Sequence, residues 1–224
     1  MPKTRKKLKP EPGNGGVPLG NYAYRMVLES IMSGRFRPGD RVKEQDFVES
    51  LGVSRTPVRE ALQLLESRRF LQNEPGRGLV VTKLSKQQFL QLYAVREVLE
   101  GAAARLATQY ALPSEIALMH QILDAFTASR KVEELVRYDV ALHRAIAEAA
   151  RNQYIHEYLN NVAETLSLLQ TSTFSVPGRQ EIADREHRAI VAAIESRNAE
   201  AAETASRFHI QEAQRFRLLM ISFD

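Results

Sequence analysis

Apolar residues recur every three or four positions along most of the chain, and this spacing predicts helices. In the first third, the pattern predicts helices over 22–32 and 44–51 and a third helix soon after. Two β-rich runs then follow, Phe70–Gln72 and Leu79–Thr82, on either side of a turn at Glu74–Gly78. Such runs around a Pro-Gly turn predict a hairpin. Helix, helix, turn, helix and hairpin is the order of a winged helix-turn-helix.

The third helix has two unlike faces. Gly52 can end the preceding helix in a left-handed conformation, and Ser54 or Thr56 can cap the next one. At helical spacing one face is aliphatic, formed by Val58, Ala61, Leu62 and Leu65, and the other is polar, formed by Arg55, Arg59 and Gln63. Arginine can bond guanine and glutamine can bond adenine in bidentate fashion, so the polar face suits the DNA major groove. A solvated surface helix and a winged helix used for protein contact are the alternatives.

From residue 85 onward the periodicity is helical and no strand pattern occurs. It predicts helices over 85–110, 113–129, 131–150, 152–172, 179–196 and 198–222. A chain of 224 residues can form two modest domains, each with a core. The predicted fold is therefore mainly α, with a winged helix-turn-helix followed by an all-α bundle. The predicted domains are a disordered basic tail over 1–20, a DNA-binding domain over 21–84 and a helical domain over 85–222.

The charge distribution separates these segments. Residues 1–20 carry a net charge of +4, residues 21–84 carry +3 and residues 85–224 carry −3. The basic excess thus lies in the tail and the DNA-binding segment, as expected if that end meets phosphate. The chain has no cysteine, no apolar run long enough for a membrane span and no secretory signal pattern. These features predict a cytoplasmic protein without a membrane partner.

Polar residues interrupt the apolar stripes of the helical segment. Asp139 and His143 share the inward face of one predicted helix, and His187 and His209 lie on the inward faces of two others. A buried carboxylate needs a partner or a metal. One inward histidine is usually a hydrogen-bonded core residue, but four such groups on three helices indicate a shared metal site. Three imidazoles and one carboxylate suit zinc first, and also nickel, iron or manganese, better than calcium.

Arg96 lies inside the apolar stripe of the first helix of this segment. An inward guanidinium requires an anion, and its planar fork matches a carboxylate. Two interpretations are open: an internal ion pair with Glu97, Glu100 or an acidic residue on another helix, or capture of a carboxylate ligand between Arg96 and the metal.

The string from Pro38-Gly39 through Gly52-Val53-Ser54-Arg55-Thr56-Pro57-Val58-Arg59-Glu60-Ala61-Leu62 to Arg77-Gly78 resembles the DNA-binding domain of the GntR family of bacterial transcription regulators. The resemblance implies DNA contacts by Arg55, Thr56 and Arg59, and a wing bearing Arg77 and Gly78 that enters the minor groove. The family's second helix often has a contacting arginine where this chain has Gln45.

The set Arg96-(x3)-Glu100, Asp139-(x3)-His143, Asn152, His187 and His209 resembles the FCD effector domain of the FadR branch of that family. This resemblance implies metal binding by Asp139 and the three histidines. Several metal-binding members sense small organic acids, so Arg96, with its inward guanidinium, is the expected effector-binding residue. We expect Asn152 to shape the helix junction.

Together these features predict a homodimeric regulator, in the default case a repressor, that is not an enzyme. It would bind a pseudo-palindromic operator in double-stranded DNA and respond to a small carboxylate at the metal site. A regulator with a purely structural metal is one alternative. A metal-dependent hydrolase is the other, although no general base is placed by motif.

Overall fold

The computed structural model describes residues 18–221. The predicted basic tail lies outside these residues, apart from its last three positions. Residues 18–84, together with Ser167–Gln170, form one compact unit, and the other described residues form a second. No helix in the described range is long and apolar enough to cross a membrane.

The first unit contains three helices and a hairpin. Its elements are α1 (Leu19–Met32), α2 (Glu44–Leu51), α3 (Arg55–Ser67), β1 (Leu71–Glu74) and β2 (Gly78–Val81). The strands are antiparallel, with Leu71 opposite Val81 and Glu74 opposite Gly78. The predicted order of elements is confirmed, and α1 begins three residues before the expected Tyr22.

The turn between α2 and α3 follows the local sequence. Gly52 adopts the left-handed conformation, with φ of 67°, where a side chain would be strained. All four predicted aliphatic residues of α3 are buried in the core of this unit. Ser54 occupies the N-cap position of α3, but its hydroxyl makes no capping hydrogen bond. Of the two capping residues that the sequence allows, Ser54 and Thr56, Ser54 therefore holds the N-cap position without the side-chain bond.

A short segment from far along the chain completes this core. Leu168 is 1% exposed and belongs to the same apolar cluster as the α1 and α3 side chains. The Gln170 amide donates to the backbone carbonyls of Ile31, 3.0 Å away, and Phe36, 2.8 Å away. These bonds satisfy one carbonyl in the last turn of α1 and one in the connection that follows it.

The second unit is all-helical over its described residues. Its helices are α4 (Lys86–Tyr110), α5 (Pro113–Ala128), α6 (Val132–Ala149), α7 (Gln153–Ser167), α8 (Arg179–Glu195) and α9 (Ala199–Met220). A 3-10 turn at Thr173–Ser175 precedes α8. The helix expected over 152–172 is too long, because the chain leaves α7 after Ser167 and Gln170 has φ of 50°.

Local signals set several helix boundaries here. Ser85 and Gln88 form a capping box at the start of α4. The Asn152 side chain accepts from the amides of Tyr154 and Ile155, so it caps α7 and shapes the junction as expected. The resulting helices α4, α6, α8 and α9 surround the polar cluster described next.

Candidate metal centre and DNA-reading surface

The predicted acid and histidine set converges inside the helical unit. Asp139 and His143 lie one turn apart on α6, His187 lies on α8 and His209 lies on α9. One ligand atom from each residue lies within 4.8 Å of every other. Residues separated by up to 70 positions in the sequence thus meet at one point.

The distances between the ligand atoms are short. His209 Nε2 lies 3.2 Å from His143 Nε2 and 3.3 Å from His187 Nε2. Asp139 Oδ1 lies 3.3 Å from His187 Nε2 and 3.8 Å from His143 Nε2. All three imidazoles therefore direct the same ring nitrogen, Nε2, toward a common centre.

Two buried carboxylates face the opposite nitrogens of two of these rings. Glu100 Oε2 on α4 lies 3.0 Å from His143 Nδ1. Glu186 Oε2 on α8 lies 2.8 Å from His209 Nδ1. An ionised carboxylate accepts a hydrogen bond from Nδ1–H, which keeps the proton on Nδ1 and leaves the Nε2 lone pair directed at the centre.

His187 is held differently. Its ring packs edge-on against Phe126, with 5.4 Å between centroids. Its Nδ1 is buried and has no hydrogen-bond partner within residues 18–221. Packing against Phe126 therefore helps to orient this ring, since its Nδ1 has no carboxylate partner like those of His143 and His209.

The electrostatics of the cluster favour an ionised acid beside largely neutral imidazoles. Burial alone would raise the pKa of Asp139, but the hydrogen bond from His187 and the positive charge of His143 hold it far below its ordinary value. Burial lowers the pKa of His209 well below normal, and the neighbouring histidines add to this effect. Burial also lowers the pKa of His187. His143 is the exception, because Glu100 outweighs burial and raises its pKa.

The donor set fits a divalent transition-metal ion. Converging lone pairs on Nε2 atoms repel one another unless a proton or a cation lies between them. A cation would be held by three neutral imidazoles and the ionised Asp139, the mixture of nitrogen and oxygen ligands that zinc and similar ions accept. Calcium, which takes oxygen ligands throughout, fits poorly.

A small cavity of about 60 Å³ adjoins this centre. Its lining includes Arg96, Asp139, His143, Arg144 and Asn160. Asp139 is the most exposed of the four candidate ligands, with 21% of its side chain accessible. The centre is thus open on its Asp139 side and closed by packing around His187 and His209.

Arg96 makes one of the internal pairs that the sequence left open. Its Nε lies 3.3 Å from Glu100 Oε1, and Glu97 instead accepts from Gln211. The same side chain also lines the cavity, so Arg96 can pair with Glu100 and still face a ligand bound there.

Two further buried residues of the site were missed from the sequence. Arg179 Nη1 donates to Glu186 Oε2 at 2.9 Å, and both side chains are buried. A signal was present, because Glu186 shares the inward stripe of α8 with Ala183, His187 and Ile190 at helical spacing. An acidic residue in that stripe requires a partner, as Asp139 does.

The residues predicted to read DNA lie on the surface of the first unit. Arg55, Thr56, Arg59 and Gln63 are exposed on α3. Arg59 forms an ion pair with Glu44 of α2, and Arg55 Nη2 lies 3.5 Å from Gln45 Oε1. Gln45, where the sequence resemblance implies an arginine in many relatives, therefore lies beside Arg55 in this structure.

The wing presents Arg77 at its tip. Arg77 bonds Glu74 at 2.7 Å and the Gly39 carbonyl at 2.9 Å. Gly76 and Gly78 have φ of 78° and 76°, conformations that glycine tolerates best. The tight turn thus depends on glycine at both places.

Two segments of the chain match known families. Residues 19–81 match the bacterial regulatory proteins of the gntR family, and residues 91–212 match the FCD domain. These matches cover both the α1–β2 segment and the candidate metal centre.

Individual proteins resemble the chain over most of its length. The HTH-type transcriptional regulator YdhC of Bacillus subtilis is 28% identical over 80% of this chain and 82% of its own. The HTH-type transcriptional repressor RspR of Escherichia coli is 27% identical over 89% of both chains. Among solved structures, E. coli McbR/YncC superposes with a TM-score of 0.79 at 21% identity, covering 92% of this chain and 99% of that one. A GntR protein from Rhodococcus sp. RHA1 superposes with a TM-score of 0.75 at 25% identity, covering 91% and 99%.

Proposed function

This chain belongs to the gntR family of bacterial regulatory proteins and carries an FCD domain, and on that premise we propose that it is a metal-dependent repressor controlled by a small organic acid. It is a transcription regulator, as its relatives are named. Those names denote regulators and not enzymes, which sets the hydrolase alternative aside. The metal, the acid and the direction of control are the proposed parts.

The proposed DNA target is a pseudo-palindromic operator bound by a homodimer. One helix-turn-helix reads only a few base pairs, and two copies related by a twofold axis extend the site. Support comes from the exposed α3 face with Arg55, Arg59 and Gln63. The relative RspR is named a repressor, which favours repression as the direction of control.

The proposed metal is a divalent ion, zinc first, held by Asp139, His143, His187 and His209. The observation that carries this proposal is the convergence of three Nε2 atoms, with His209 Nε2 at 3.2 and 3.3 Å from the other two. A bound ion would supply a positive centre that an acid's oxygens can coordinate where the protein leaves a position open.

The proposed effector is a small carboxylate in the cavity beside Asp139. Arg96 lines that cavity and is bonded to Glu100 through Nε, and a guanidinium has further donors that a second carboxylate can accept from. The volume of about 60 Å³ favours a compact acid over an extended ligand. Such an acid alters operator affinity only if it binds the DNA-competent and DNA-incompetent states unequally.

A purely structural metal is the remaining alternative, and chelation distinguishes it. We expect the chelated protein to stay folded by circular dichroism, to bind its operator and to lose its response to acids. Elemental analysis before chelation should find about one divalent ion per chain. Global unfolding on chelation would support a structural ion, whereas metal-free protein that still responds to acids would contradict the proposed site.

A further inference from the structure

The second unit contains two chains of contacts in which an arginine, a glutamate and a histidine follow one another. Arg96, Glu100 and His143 form the first, with distances of 3.3 and 3.0 Å. Arg179, Glu186 and His209 form the second, with distances of 2.9 and 2.8 Å. The three residues of the first series, Arg96, Glu100 and His143, all line the cavity, whereas neither Arg179 nor Glu186 does.

Burial of the Arg179–Glu186 pair reduces the free energy of folding that the pair can contribute. Arg179 is 1% exposed and Glu186 is 8% exposed. Removing two charges from water carries a penalty that the ion pair alone often does not recover. Within residues 18–221, Arg179 Nε and Glu186 Oε1 also have no hydrogen-bond partner. Stability by itself therefore gives no account of this pair.

The geometry gives the pair another role. A single oxygen, Glu186 Oε2, accepts from Arg179 Nη1 and faces His209 Nδ1. The Arg179 guanidinium is fixed in turn, with its carbon 4.9 Å from the centroid of the Phe216 ring on α9. Glu186 Oε2 thus lies between the Arg179 guanidinium and the His209 ring, and it orients that ring.

We propose that Glu186, anchored by Arg179, is a positioning residue that keeps His209 in the Nδ1–H form and aims its Nε2 at the metal centre. Carboxylates in this relation to a ligating histidine fix the tautomer and orientation of the ring. Because this pair is closed to the cavity, its role is to hold the metal and not to contact the effector. The inference rests on the proposed metal site, but the state of His209 can be measured without a metal.

The test uses the full-length protein with both charges replaced. Arg179→Met with Glu186→Leu removes the pair without stranding either charge in the core. We expect zinc affinity, measured by competition with a chromogenic chelator, to fall roughly 10- to 100-fold, the usual effect of losing a partner of a ligating histidine. Asp184→Asn is the matched control, since it neutralises an ion-paired acid on the same helix that faces Arg188 instead of a histidine. The control should bind zinc as the wild type does.

A second measurement reports on His209 itself. In metal-free wild-type protein, ring ¹⁵N chemical shifts should show His209 protonated at Nδ1 and bare at Nε2, and Glu186→Gln should shift this balance. Unchanged zinc affinity in the double variant, or a wild-type His209 protonated at Nε2 alone, would overturn the inference. A wild type that binds no divalent ion would instead defeat the proposed function, and the ¹⁵N measurement would still decide the role of Glu186.

Discussion

Glu44 of α2 holds Arg59 of α3 through two contacts. Arg59 Nε lies 3.1 Å from Glu44 Oε2, and Arg59 Nη2 lies 3.4 Å from Glu44 Oε1. The arginine side chain remains 63% exposed. A planar guanidinium fixed in this way is restricted in orientation before it meets a base.

Replacing Arg59 with alanine should weaken specific operator binding by roughly 1–3 kcal/mol, because a bidentate base contact would be lost. Binding to unrelated DNA should fall much less. Gel-shift titrations with operator and random duplexes at one salt concentration measure both. Unchanged operator affinity would remove Arg59 from the reading surface.

Glu44→Ala should reduce specificity with a smaller loss of affinity. The freed Arg59 would have to be ordered on binding, at a cost of up to about 1 kcal/mol for an exposed pair. Loss of an acidic group beside DNA would also strengthen binding to any duplex, since phosphate attraction is sequence-independent. The ratio of operator to random-duplex affinity is the quantity to measure. Asp46→Ala, on the same helix, is the control, and an equal change there would indicate a general charge effect.

His187→Ala should lower the metal content of the purified protein. It removes one of three converging nitrogens, and the loss of affinity should exceed about 100-fold, the upper range for partners that do not touch the metal. Elemental analysis measures occupancy directly. His120→Ala is a suitable control, since His120 is only partly buried and pairs with Glu195 away from the cluster. Full occupancy in the His187 variant would exclude this residue as a ligand.

Arg96→Ala should abolish the response to carboxylic acids while leaving metal content and operator binding near wild type. This substitution removes the guanidinium that lines the cavity, whereas the four candidate metal ligands remain. Arg96→Lys keeps the charge and loses the fork, so its response should be weakened rather than absent. Gel shifts over an acid titration compare both variants with Arg105→Ala, an ion-paired arginine of the same helix that does not line the cavity. A normal acid response in the Arg96→Ala variant would refute the carboxylate clamp.

The sequence identified the polar cluster because its members break an apolar stripe at helical spacing. Helical periodicity alone identifies these residues, because each is a polar side chain at an otherwise apolar position of its helix: Asp139, His143, His187 and His209. Glu186 interrupts the apolar stripe of α8 in the same way. Because it is adjacent to His187, the pattern also fits a Glu186 at the edge of the polar face, and the residue was missed. Which acid faces which ring nitrogen depends on how α8 and α9 pack, and period carries no information about that.

The end of α7 shows where helical periodicity misleads. Leu166, Leu168 and Leu169 continue an apolar pattern, which predicts a helix through 172. Leu168 is instead buried in the core of the other unit, and the tertiary contact overrides the local preference. Ser54 shows a different limit, because residue type indicates that a cap can form and not that the hydroxyl is oriented to form it.

Leu168 and Gln170 also mean that the DNA-binding half is not encoded by one uninterrupted run of codons. A gene fragment stopped after residue 84 would yield a polypeptide lacking a side chain of its own interior and the donor for two of its carbonyls. In a chimera joined at residue 85, the parent of the C-terminal half would contribute that missing piece of the N-terminal core. Engineers who exchange sensor halves between relatives would thus also be exchanging part of the DNA reader.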